Sequence, residues 1–183
     1  MGRLVFLMNM TLDGFIEGPG GDLGWSNPDE ELHRFFNEEQ RQTKVNLYGR
    51  RLYETMDYWR TVDVAGLADY EAEWGEIWRA TPTVVFSRTL DRVEGNARLF
   101  KGDAAEEIKR LKDETEGVLS IGGPTLASSL PPGMIDEYRV AVHPVTIGAG
   151  TPLFQSAQLT LSLLDTRRFA SGVVLLSYAP AAV

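Results

Sequence analysis

The chain has 183 residues and no cysteine, which excludes disulfides, thiolate metal sites and a cysteine nucleophile. Its 26 Asp+Glu against 18 Lys+Arg leave a net charge of −8, which argues against a nucleic-acid partner. No apolar run approaches membrane-spanning length and the N-terminus turns polar too soon for a signal peptide, so a single cytoplasmic domain over 1–183 is expected.

Arg3 to Met10 is mostly apolar and reads as a strand buried on both faces. Asp13-Gly14 ends it with a turn signal, after which Phe15 and Ile16 continue it briefly. Glu17 to Gly24 holds four glycines and a proline. Such a segment is either a surface connection or a mobile lid, and Trp25 directly after it favours the lid. Asn27 is the expected cap of the first helix, with Pro28 in its first turn and Glu30 completing a capping box. Leu32, Phe35 and Phe36 form its apolar stripe, and His33, off that stripe, reads as a solvated residue.

Lys44 to Tyr48 reads as the next strand, followed by Gly49-Arg50-Arg51 and a helix carrying Leu52, Tyr53, Met56 and Trp59. Two guanidiniums at a helix start oppose its dipole, an arrangement that an anion between them would relieve. Residues 60–81 read as an amphipathic helix with Leu67, Tyr70, Trp74, Ile77 and Trp78. Thr83 to Phe86 is a third strand with Ser87-Arg88 at its end, and Ala97 to Phe100 a short fourth. Asp103 opens a helix with a capping-box pattern.

Val118 to Ile121 is a strand broken by Gly122-Gly123, and Pro124 then takes a first helical position. A strand, two glycines and a helix start either cradle an anion or make an ordinary tight connection. Beyond Pro132 the chain runs strand after strand: 136–147, then two antiparallel strands near Leu159–Leu164 and Val173–Tyr178. The alternation predicts a three-layer α/β/α fold, a mostly parallel mixed sheet with antiparallel C-terminal strands. A homodimer is expected from the apolar surface of those closing strands and of the Trp74/Trp78 stripe.

The series Thr11-Leu12-Asp13-Gly14, Gly49-Arg50-Arg51-Leu52-Tyr53-Glu54, Val85-Phe86-Ser87-Arg88-Thr89-Leu90, Ile121-Gly122-Gly123, Asp136-Glu137 and Pro144 to Phe154 spans most of the chain. It resembles the dihydrofolate reductase-like family, and more closely its branch related to the C-terminal reductase domain of the bacterial riboflavin-biosynthesis deaminase/reductase. The resemblance implies an NADPH-dependent reductase of a small heterocyclic or ribosylaminopyrimidine-type substrate. It implies that Gly122, Gly123 and Thr125 hold the pyrophosphate. Gly49, Arg50, Arg51, Ser87 and Arg88 would serve the adenosine-side phosphates, and Asn9 would lie by the nicotinamide. Trp25, Glu30 and Asp13 would face the substrate. Glu30 is then a proton donor or a helix cap, and Asp13 a second carboxylate or a turn residue. The chain departs from the family at Leu52, where a threonine hydroxyl is common. A dihydrofolate reductase and a non-catalytic NADPH sensor are the competing readings. A folate tail would call for an arginine that the sequence does not clearly supply.

Overall fold

A computed structural model describes residues 1–155 and 158–181. In chain order its elements are β1 (Arg3–Thr11), β2 (Phe15–Glu17), α1 (Glu30–Gln42), β3 (Thr43–Gly49), α2 (Arg50–Met56), α3 (Tyr58–Thr61) and α4 (Asp69–Ala80). There follow β4 (Thr83–Phe86), β5 (Ala97–Phe100), α5 (Ala104–Glu114), β6 (Val118–Gly122), α6 (Pro124–Ser128), β7 (Glu137–His143), β8 (Thr151–Pro152), β9 (Leu161–Arg168) and β10 (Val174–Pro180). The main sheet runs β5-β4-β3-β6-β1-β7-β10-β9, and β2 pairs with β8 in a separate ribbon. Strands β5 through β7 are parallel, while β10 runs antiparallel to both β7 and β9.

Burial of β1 on both faces holds the centre. Leu4, Val5 and Phe6 are at most 2% exposed, and each contributes roughly 1.5–3 kcal/mol by leaving water. Alternation along the strand sends Leu4 and Phe6 into a core with Ile108 and Leu111 of α5 and Leu126 of α6. Leu7 packs on the other face, with Leu32 of α1, Ala141 and Phe169. Helices therefore cover both faces, as the element pattern predicts.

Several local expectations need correction. Asp29, not Asn27, caps α1, its carboxylate accepting from Leu32 N at 3.0 Å. Pro28 precedes the cap, so Glu30 is the first helical residue and pairs with Arg34 instead of closing a capping box. The helix expected over Leu52–Trp59 is two pieces, broken at Asp57, and α4 starts only at Asp69. β7 stops at His143, and Asp136 lies before it, accepting from Leu4 N and pairing with Lys112. Trp78 is 1% exposed, so the dimer expectation loses that ground; the exposed leucines 163 and 164 on edge strand β9 are what remains of it.

His33 is the largest correction. It is buried between α1 and α4, its Nδ1 is 3.2 Å from Asn37 Oδ1, and the rings of Trp59, Tyr70 and Trp74 surround it. Asn37 in turn donates to Tyr70 O and to Glu73, tying the two helices. Burial lowers the His33 pKa from its ordinary 6.5, and burial does the same at His143. As pH falls from about 6.5, the unfolded chain therefore binds more protons than the folded one. This stability is fully present above that pH and is lost as pH drops toward the folded-state values. The Glu107 carboxyl, held at about 2 chiefly by Arg110, titrates far below this window. Urea midpoints should fall between about pH 7.5 and about pH 5.5, and His33→Phe should remove part of the fall. An unchanged pH dependence in the variant would clear His33 of the effect.

Candidate active site

Strands β4, β3 and β6 are neighbours and parallel, with Gly49 paired to Phe86 and Tyr48 to Gly122. Their C-terminal ends therefore meet on one edge, where open α/β sheets form crevices at a reversal of strand order. α2 begins at Arg50 directly after Gly49, and α6 at Pro124 directly after Gly123. Between the two helices opens a cavity of about 400 Å³, lined by Gly49, Arg50, Arg51, Leu52, Gly123 and Thr125, among others. Met8, Ile16 and Leu23 give it an apolar wall. A second hollow of about 430 Å³ holds Ser87 and Arg88 and shares Phe86 and Ser129 with the first.

The two glycines have different reasons to be glycine. Gly123 has φ +87°, a left-handed conformation that side-chain-bearing residues rarely adopt. A Cβ on Gly122 would collide with Cδ2 of Leu52, which roofs the turn. Leu52 thus fills with hydrocarbon the place where a hydroxyl was expected. The Gly123 N–H points at Met8 Sδ, 3.4 Å away, and a thioether is a weak acceptor that an anionic oxygen would outcompete.

The cations are only lightly engaged. Arg50 donates to Glu54 at 2.7 Å and to Thr89 at 3.2 Å, reaching from α2 to the segment after β4. Arg51 has a 77% exposed side chain and lies 3.4 Å from Glu17. Ser87 Oγ accepts from the N–H groups of Thr89 and Leu90, closing a turn that presents Arg88. Arg88 is exposed and has no ion pair among the described residues.

The remaining candidates lie apart from this cavity. Met8 faces it, so Asn9 falls on the opposite face of β1, the one covered by α1. There Asn9 Oδ1 is 3.0 Å from His143 Nε2, and the Trp25 ring stands edge-on to the imidazole with centroids 5.2 Å apart. His143 had no mark in the sequence beyond its place in a strand. Glu30 is 61% exposed at the start of α1 and accepts from Arg34 Nε at 2.9 Å. Asp13 accepts from the Thr11 hydroxyl at 2.6 Å and from the backbone N–H groups of Ile147 and Gly148. The Thr11 bond first, then those N–H groups, hold its carboxyl below the ordinary 3.8. Asp13 thus latches the turn after β1 to the loop after β7. Among the described residues no helix is long and apolar enough to cross a membrane, and no three His, Asp or Glu side chains gather as metal ligands would.

Comparison with known proteins identifies the fold and the family. The family model of the RibD C-terminal domain matches residues 3–175. The uncharacterized protein YyaP of Bacillus subtilis is 32% identical over 181 residues, covering 96% of this chain and 94% of YyaP. The deaminase/5-amino-6-(5-phosphoribosylamino)uracil reductase of Thermotoga maritima superposes with a TM-score of 0.70 at 15% identity, over 98% of this chain and 57% of that one. Dihydrofolate reductase from Enterococcus faecalis, solved with NADP(H), superposes with a TM-score of 0.69 at 18% identity, over 99% of this chain and 98% of that one. The dihydrofolate reductase-like fold that the motif series resembles is therefore the fold of this protein, and the chain belongs to the RibD C-terminal domain family.

Proposed function

We propose that the protein is an NADPH-dependent reductase that delivers hydride to a small planar heterocycle, of the ribosylaminopyrimidine or a related type. The observation that carries this reading is the meeting of Gly49-Arg50-Arg51, Ser87-Arg88 and Gly122-Gly123 on one sheet edge, around a two-lobed cavity. The donor set fits a dinucleotide phosphate: backbone N–H at a glycine turn, the Thr125 hydroxyl, and guanidiniums at both lobes. The cavity's size is also in the range of small-molecule sites.

When bound, NADPH supplies the hydride, which no side chain can donate. The chain's part is to bind and align. Arg50, Arg51, Ser87 and Arg88 hold phosphate oxygens, and Thr125 with the diglycine turn holds the pyrophosphate. Met8, Ile16 and Leu23 keep water from the apolar wall. We assign proton delivery to Glu30, whose one partner among the described residues is the exposed Arg34, rather than to Asp13, which already accepts from three groups. A sensor that binds NADPH without turnover is the second reading. A screen of NADPH oxidation with pterins, flavin precursors and quinones separates the two, because any substrate-dependent turnover removes the sensor.

Three outcomes test the assignment. Changing Arg50 and Arg88 together to Ala should weaken NADPH binding by about a hundredfold or more and NADH binding far less, since charge-assisted bonds contribute roughly 1.5–3 kcal/mol each; equal losses would refute the phosphate role. Gly122→Ala should keep a native circular dichroism spectrum yet lower NADPH affinity, because its methyl pushes Leu52 into the cavity. Adding Leu52→Ala should restore binding in part, and no change in either variant would detach the glycine turn from the ligand. Glu30→Gln should leave NADPH affinity near normal while slowing turnover of the substrate found in the screen by about a hundredfold. Full turnover across the pH range would take Glu30 out of the mechanism.

A further inference from the structure

The α1 face of the sheet carries a polar cluster that does not line the cavity between α2 and α6. Asn9 on β1 and His143 on β7 share this face with Leu7 and Ala141. His143 is only 5% exposed, and its Nε2 meets Asn9 Oδ1 at 3.0 Å. An amide oxygen only accepts, so Nε2 carries the imidazole proton. With its oxygen held, Asn9 is left with its N–H₂ as the free group. Among the described residues Nδ2 has no partner, and it is not sealed from solvent. Trp25, brought in by the glycine-rich segment, stands at 81° to the imidazole, and its Nε1–H is buried without an acceptor among the described residues. Among the described residues the cluster thus holds two unpaired donor groups, the Asn9 amide nitrogen and the Trp25 indole N–H.

We propose that His143 is a positioning residue for the reduction: it turns the Asn9 amide so that Nδ2 donates to an in-plane carbonyl oxygen of the substrate ring. This rests on the reductase reading and reassigns Asn9 from the cofactor to the substrate. Asn9 makes the contact and His143 acts through it. Trp25 limits rotation of the imidazole by packing on it. An amide offered donor-first favours carbonyl-bearing rings over donor-only ones, because a donor facing a donor leaves both unpaired.

The chain has two histidines, so ¹⁵N-histidine NMR on the whole protein reads the pair directly. His143, identified by the signals lost in His143→Gln, should be neutral and protonated at Nε2 near neutral pH, and Asn9→Leu should bring in the Nδ1 tautomer. Lumazine, a planar lactam, serves as the binding probe, and indole as the donor-only control. Lumazine affinity should fall by about tenfold in Asn9→Leu and His143→Leu and stay within about threefold in His143→Gln, whose amide nitrogen takes the place of Nε2. Indole should not distinguish the variants. NADPH affinity by calorimetry should be unchanged in all three. An Nδ1-protonated His143 in the native chain overturns the proposal, as does lumazine binding that is equal, or equally absent, in native, Asn9→Leu and His143→Leu proteins. Lack of NADPH binding by the native protein would overturn the cofactor reading alone, and the tautomer and lumazine results would still decide the role of His143.

Discussion

The seating of β6 between β1 and β3 is the constraint on which the rest of the molecule depends. Val118 to Ile121 pairs with Arg3 to Phe6 on one side and with Thr43 to Leu47 on the other. Leu119 and Ile121 are fully buried on one face, and both edges of the strand are paired. It also ends where the strand order reverses, which leaves no neighbouring connection above its last residue. Glycine at 122 and 123 keeps side chains out of that gap. The cavity between α2 and α6 is what the gap becomes once Leu52 roofs one side of it.

Electrostatics then pins the rim. Glu17 accepts from the Thr151 hydroxyl at 2.6 Å and faces Arg51, so β2, β8 and the start of α2 are linked through one carboxylate. Gly150 lies against the Glu17 backbone, where a Cβ would collide with the carbonyl. The segment from Pro19 to Gly24 is thus anchored at its first end by this contact. At its other end Trp25 packs on His143.

What was legible in the sequence was whatever depends on neighbours in the chain. Continuous apolar runs located β1, β3, β4 and β6, and the Asp103 cap was read correctly because its partners, the N–H groups of Ala105 and Glu106, are two and three residues away. The same local logic chose Asn27 over Asp29, since two acceptable caps flank Pro28 and only the backbone decides between them. His33 was misread for a different reason. Its stripe was judged from Leu32, Phe35 and Phe36, while the rings that bury it lie on α3 and α4. Asn9 and His143 are 134 residues apart, and no spacing rule joins them. The residues proposed to hold phosphate could be read because each sits beside a strand end. The Asn9–His143 pair could not, because only the parallel pairing of β1 with β7 creates it.

That pairing also bears on how the chain is made. β1 precedes every other described strand, yet its partners are β6, beginning at Val118, and β7, beginning at Glu137. Until Val118 and the residues after it have been synthesised, the apolar run from Leu4 to Leu7 has neither neighbour to bond with, and non-local pairing of this kind makes folding slow and exposes such segments to aggregation. Helix α1 is the first element able to shelter it, laying Leu32 and Phe36 over Leu7 on one face. The early partnership of β1 with α1 therefore guards the nascent chain before it builds the finished core, and a mutation that weakens it costs yield at translation as well as stability afterwards.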